Sequence, residues 1–270
     1  MQQAAGQKPN RIHSAIATRG MAFGTWVQMA APEVAELAAA SGLDFVIVDM
    51  EHGSFGIAEA AGLIRAVQAG GASPLVRVPD HDPTGLLKVL DAGAAGVLVP
   101  GVETAEQAAA IVAATRFAPE GRRGACPATR ATWHGLVDWP DHLAWARENI
   151  VTILIVENLE GVRNVEAILQ VPGITAIGVG MFDLAQAMGH GGDIAHPAVQ
   201  AELARLAGLI RGAGIEVFSA TFDSAPDRVT AATRHWQGLG CRIFAASADR
   251  MMLATGFRAV VAATAAGSGT

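Results

Sequence analysis

The sequence predicts a single-domain (β/α)8 barrel, and three observations carry that prediction. Eight apolar, β-branched runs alternate with segments of helical period between Met21 and Ala263. The runs are apolar at consecutive positions, as in parallel strands covered on both faces, and eight of them favour closure into a barrel. No G-x-G-x-x-G turn follows the first run and no P-loop pattern is present, so an open nucleotide-binding sheet is the weaker alternative.

Residues 1–20 read as a loose N-terminal arm with room for a short helix, residues 21–263 as the barrel, and residues 264–270 as a frayed tail. Within the barrel, Met21–Val27 is the first strand. Pro32–Ala40 follows as an Ala-rich helix with Pro in its first turn and Gly42 past its end. Asp44–Asp49, Ser73–Val78 and Ala95–Pro100 are the next strands, separated by helices at Ile57–Ala69 and from Pro83 to Asp91. Thr104 caps a further helix. Phe117–Trp139 is the one long irregular stretch, rich in Arg, Pro, Gly and Trp, and loops of that length in a compact domain are usually functional. After a short helix at Asp141–Asn149 come the fifth strand, Ile153–Val156, and the sixth, Thr175–Gly180, with a helix at Gly161–Leu169 between them. Helix Pro197–Ala213, strand Glu216–Ala220, helix Pro226–Gln237, strand Arg242–Ala246 and a helix from Asp249 to about Ala263 complete the order.

Composition narrows the function. At 270 residues, 51% of them apolar, the chain can fill one large core. A net charge of -6 gives no basic footprint for nucleic acid or an anionic membrane, so small molecules are the expected partners. No apolar run approaches the roughly 20 residues of a spanning helix and the first residues lack an apolar leader core, so a cytoplasmic protein is expected. Cys126 and Cys241 have no partner at metal-binding spacing and read as reduced thiols.

Barrel chemistry sits at the carboxyl ends of the strands, which picks out a short set of polar residues. The fifth strand ends in Glu157 and the sixth delivers Asp183 through Met181-Phe182. Consecutive parallel strands are usually neighbours, so these acids can share a site for a hard divalent cation such as Mg²⁺ or Mn²⁺. The alternative is that each acid caps the following helix or pairs with an arginine. The second strand ends Asp49-Met-Glu51-His52, where Asp49 could orient the His52 ring as a general base; a histidine satisfied by a backbone carbonyl is the plainer reading. Arg77 lies in a strand that should be buried, so it needs an anion, either a substrate oxygen or a barrel-floor carboxylate. Lys8 and Lys88 are the only lysines, and neither ends a strand, which excludes a good Schiff-base candidate.

Several ordered motifs together resemble the HpcH/HpaI family of metal-dependent, class II pyruvate aldolases. They are Asp49-Met-Glu-His-Gly53, Pro74-Leu-Val-Arg-Val-Pro79, Asp91-Ala-Gly-Ala-Ala-Gly-Val-Leu-Val-Pro100, Pro119-Glu-Gly-Arg-Arg-Gly124, Val156-Glu157 and Gly178-Val-Gly-Met-Phe-Asp-Leu184. The resemblance covers roughly residues 20–260. It implies a divalent metal ion (Mg²⁺, Mn²⁺ or Co²⁺) on Glu157 and Asp183, Arg77 holding the 2-oxo oxygen, and His52 with Asp49 as the base dyad. The implied reaction is reversible cleavage of a 4-hydroxy-2-oxo acid to pyruvate, or a close 2-oxo acid, and an aldehyde, through a metal-stabilised enolate. A homo-oligomer, trimer or hexamer, is also implied, with the last helix packed on a neighbouring subunit. Four positions differ from the common pattern: Ile155 stands where many members carry Gln, Met181-Phe182 replace smaller residues, and Ala185 stands where Ser is usual. The bulk of Phe182 next to Asp183 is expected to shape the substrate pocket. A CoA-thioester lyase of the same superfamily and a non-catalytic barrel are the alternatives.

Overall fold

In the computed structural model, which describes residues 7–267, eight parallel strands close in sequence order into a barrel, β1-β2-β3-β4-β5-β6-β7-β8. The strands are β1 Ala22–Val27, β2 Phe45–Asp49, β3 Ser73–Arg77, β4 Gly96–Val99, β5 Val151–Val156, β6 Ala176–Val179, β7 Glu216–Thr221 and β8 Cys241–Ala248. Helices α2 (Pro32–Ala40), α3 (Ile57–Gly70), α4 (Pro83–Asp91) and α5 (Ala105–Thr115) follow the first four strands. The remainder are α6 (Trp139–Asn149), α7 (Leu159–Ile168), α8 (Met181–Ala187), α9 (Pro197–Gly212), α10 (Pro226–Gly238) and α11 (Asp249–Gly267). The expected barrel is borne out.

Two apolar layers hold it. One lies between strands and helices, where Val46, Val48, Val76, Val97, Val99, Leu154 and Val156 meet the inner faces of the helices. The other fills the barrel interior with Phe45, Ile47, Leu75, Leu98, Ile153, Ile155, Phe218 and Ile243. Strand side chains alternate with period two, so residues of opposite parity on one strand belong to different layers. Small residues make room for large ones inside: a Cβ on Gly24 would sit 2.2 Å from the Phe45 ring, and one on Gly178 would sit 2.6 Å from Phe218 and 2.7 Å from Ile155. Truncating an interior side chain such as Leu75 to Ala would cost roughly 2–5 kcal/mol, because so packed a site cannot collapse.

The N-terminal arm is ordered where it is described. Helix α1 (Arg11–Arg19) is capped by the Asn10 side chain, which accepts from the Ile12 N–H. Asn10 is buried and donates to the carbonyls of Ala95 and Asn149, while Ile12 and Ala15 close the amino end of the interior layer. The arm is therefore a plug tied to two strand starts, and residues 1–6 lie outside the described residues. Helix α11 runs past Ala263 to Gly267, so the tail is helical at residues 264–267 and residues 268–270 lie outside the description.

Candidate active site

The site is the carboxyl end of the interior layer. On β2 the inward positions are Phe45, Ile47 and then Asp49; on β3 they are Leu75 and then Arg77; on β5 they are Ile153 and Ile155, and the next is Glu157. The period that packs the core thus delivers polar side chains into the barrel mouth where apolar filling stops.

Asp49 and Arg77 are register partners on neighbouring parallel strands, so their side chains meet. Arg77 Nε donates to Asp49 Oδ1 at 2.8 Å and Nη2 to Oδ2 at 2.6 Å, a two-point pair with Asp49 fully buried. The guanidinium lies 4.4 Å above the Trp26 ring, and its Nη1 faces Glu51 at 2.9 Å, an ion pair without hydrogen-bond alignment. Gln28 Nε2 also donates to Asp49, at 2.8 Å. Burial opposes the Asp49 charge, but the hydrogen bonds and charge of Arg77, with Gln28 and the His52 amide, outweigh it and hold the carboxyl below its ordinary range.

That arrangement corrects one expectation. Asp49 meets His52 through the backbone, where the His52 N–H reaches Oδ1 at 3.3 Å, so it does not orient the ring. The reason is register: Asp49 points into the barrel toward Arg77, whereas His52 lies past the strand end and is exposed. Glu51 is the acid whose charge interacts with His52; burial raises its carboxyl above the ordinary value, offset in part by Arg77 and His52, while Asp49 and Asp183 add to the rise. The choice posed for Arg77 also changes form. It is paired with a carboxylate, but at the rim instead of the floor.

Glu157 is held by backbone. Gly101, in a left-handed conformation at φ 63°, donates its N–H to Oε1 at 2.7 Å, and a Cβ on Gly180 would stand 2.4 Å from Oε2 and 2.6 Å from Glu157 Cβ. Only glycine at position 180 leaves space for the Glu157 side chain as it stands. Burial, then the charges of Asp183 and Glu51, push the Glu157 carboxyl up to about 7 against the opposing pull of the Gly101 N–H and Arg77. Glu157 and Asp183, expected to share a site, are close enough for each charge to act on the other. Asp183 stands in the first turn of α8, the short helix that follows the sixth strand. Phe182 is 62% exposed and its ring lies against Gly192, so its bulk is directed away from the interior. Ile155 fills the interior layer below Glu157.

Trp26 and Gln28 were not expected at the site, and Glu51 was expected at the rim without a role. Gln28 and Glu51 follow strand ends as the chosen acids do, so the same rule reaches them; Trp26 is hidden because an aromatic in a strand reads as core. The Trp26 indole N–H is buried without a partner beside Arg77. The His81 ring, in the loop after β3, is satisfied by the Pro100 carbonyl at 2.7 Å.

The HpcH/HpaI aldolase/citrate lyase family model matches residues 22–244. The chain belongs to this family. It is 38% identical over 192 residues to the 5-keto-4-deoxy-D-glucarate aldolase of Salmonella paratyphi A, a match spanning 71% of this chain and 74% of that one. A solved HpcH/HpaI aldolase/citrate lyase family protein from Burkholderia cenocepacia J2315 superposes with a TM-score of 0.85 at 33% identity, covering 94% of this chain and 99% of the other. The HpcH/HpaI aldolase from Desulfitobacterium hafniense DCB-2 gives 0.85 at 25% identity, covering 93% and 95%. The chain is accordingly a carbon–carbon lyase acting on small molecules. Among the described residues no helix is long and apolar enough to cross a membrane.

Proposed function

We propose that this protein is an aldolase that cleaves a 4-hydroxy-2-oxo acid reversibly into pyruvate, or a close 2-oxo acid, and an aldehyde, with a divalent metal ion bound by Glu157 and Asp183. The observation that carries the proposal is the desolvated Glu157 carboxylate, fixed by the Gly101 N–H and the Gly180 cradle beside two further acids. Carboxylates crowded in this way call for a cation. Among the described residues no cluster of three or more His, Cys, Asp and Glu forms a ligand set, and two acids alone leave positions for water and substrate, as Mg²⁺ and Mn²⁺ prefer. When bound, such an ion supplies Lewis-acid stabilisation of negative charge on the 2-oxo oxygen.

The chain's own groups supply the rest. Arg77 uses Nε and one Nη2 proton on Asp49 and faces Glu51 with Nη1, and the Nη protons that remain hold the oxo acid. His52 takes the 4-hydroxyl proton in cleavage, the C3–C4 bond breaks, and its electron pair passes to C3 and the 2-oxo oxygen while C4 leaves as the aldehyde. C3 then takes a proton to give pyruvate. Glu51, whose charge interacts with both Arg77 and His52, is the acid that supports the histidine in place of Asp49. Exposed Met251, Met252, Phe257, Val260 and Val261 on α11 support a homo-oligomer covered along this helix.

The experiment is a coupled assay of pyruvate release from a 4-hydroxy-2-oxo acid. Excess chelator is expected to abolish release, and Mg²⁺, Mn²⁺ or Co²⁺ to restore it; borohydride with pyruvate should leave no adduct. Full activity in chelator, or a trapped adduct on Lys88, would overturn the proposal.

A further inference from the structure

A cavity of about 320 Å³ opens at the amino ends of β3 and β4, against Ser73, Pro74, Ala94 and Ala95, on the face of the barrel opposite the acids. Its wall carries Lys8, Arg11, Arg65 and Arg130 and no carboxylate. Arg65 has no ion pair or hydrogen bond among the described residues, and Arg130 has only the neutral Gln68 amide oxygen at 2.8 Å and the Trp133 ring 4.1 Å beneath its guanidinium. Arg11 reaches the Gly71 carbonyl and stands 3.6 Å from Asp44. Burial, and then the neighbouring charge of Arg65, lower the Arg130 pKa from its ordinary value. Arg65 and Arg130, like charges at a concavity with no carboxylate paired to either among the described residues, are in place for an anion.

The apolar part of the wall is also built. Trp133 and Trp145 both line the cavity, and Trp145 is fixed by its indole N–H, which donates to the Lys8 carbonyl at 2.9 Å. Trp133 is held at φ 53° and His134 at φ 60°, two successive side-chain-bearing residues in the left-handed region, followed by Gly135 at φ 89°. A bulky residue in that conformation is strained, and such strain persists where the surroundings impose it, commonly at ligand sites.

We propose that this cavity binds a phosphate monoester carrying a planar ring, the chemical class of a nucleoside monophosphate. A carboxylate brings one charge to this wall, whereas a phosphate monoester brings close to two and has acceptor oxygens for several arginines at once. The two indoles give the ring of such a ligand aromatic surface on which to stack. The inference does not depend on the aldolase reading.

The test is calorimetric titration of the full chain with AMP and, separately, with inorganic phosphate, on wild type, Arg65→Ala, Arg130→Met and a control, Arg234→Ala, on an exposed stretch of α10. AMP is expected to bind saturably, more tightly than phosphate. Arg65→Ala and Arg130→Met should each weaken AMP by roughly tenfold or more, the worth of a charge-assisted hydrogen bond, and the control should not. Absence of AMP binding up to millimolar concentration, or equal affinity in Arg65→Ala and wild type, would overturn the site. Phosphate binding as tightly as AMP would overturn the ring-binding role of the indoles.

Discussion

At the carboxyl ends of the strands Asp49 and Glu51 pair with Arg77 and Glu157 feels the charges of Asp183, Glu51 and Arg77, while at the amino ends Arg65 and Arg130 stand together without a carboxylate. Both ends grow from the same strands. On β3, Ser73 touches the basic cavity and Arg77 the acidic mouth, roughly 13 Å apart at the usual rise per residue. Between them lies a filled apolar interior, with Leu75, Phe45 and Leu98 fully buried. Opposite electrostatics can coexist on one short strand because that dry layer keeps each set of charges at its own rim. The acidic end is set by the two-residue period of the strands, and the basic end by loops and helices outside the sheet. Changes to the buried pair at the mouth should therefore touch both stability and chemistry, whereas changes at the base should spare turnover.

The largest effect is expected from Arg77→Lys. Lysine keeps the charge but loses the fork that grips Asp49, so pyruvate release should fall by about 10²–10³, as for loss of a positioned donor. The buried pair is weakened as well, and a broken one costs about 3–5 kcal/mol, so the melting temperature should drop by roughly 5 °C or more. A variant as stable as wild type would contradict the structural half of the argument, and an active one the chemical half. His52→Ala should slow turnover by roughly 10²–10⁴ with melting temperature and metal affinity unchanged, the span of a lost general base. A normal rate would remove His52 from the reaction. Gly180→Ala should fold, since φ -71° suits any residue, yet displace the Glu157 carboxylate. Metal affinity measured by Mn²⁺ titration should fall by about 10–100-fold, as when the support of a ligand is removed.

At the base, the smaller effect is on stability alone. His142 is buried, its Nδ1 accepts from the Gln7 amide at 2.7 Å, and the same amide donates to the Ala131 carbonyl. Burial, helped by Arg123, lowers its pKa from 6.5 to about 4, so the folded protein holds the neutral ring. The unfolded chain takes up the proton first, so the contribution of His142 is whole above pH 6.5 and is lost as pH falls toward 4. Melting curves across that window should show a loss that His142→Gln reduces; identical pH dependence in the variant would contradict the assignment. Arg65→Ala should leave the rate of pyruvate release unaltered.

How much of this was legible follows the same division. Strand order, barrel closure and the acids at the mouth were readable because one period governs core and site together: Phe45, Ile47, Asp49 is a single inward series. A helix start near Asp183 was legible but not the extent of α8, because seven residues beginning after Gly180 show too little period. The role of Asp49 was misread because sequence adjacency suggested His52, while strand register brings in Arg77, which is 28 residues away. The plug made by Asn10 and Ile12 could not be seen at all, since its partners Ala95 and Asn149 are remote in the chain. The same holds for the basic cavity, whose wall combines five separate segments.

The central claim, that Glu157 and Asp183 together hold a divalent cation, is tested most directly by calorimetric titration of the chelator-treated protein with Mn²⁺, wild type beside Glu157→Gln and Asp183→Asn. The account predicts one saturable site in wild type, lost or weakened by at least about tenfold in each variant while both keep the wild-type fold by circular dichroism. Undiminished Mn²⁺ binding in folded Glu157→Gln would contradict it.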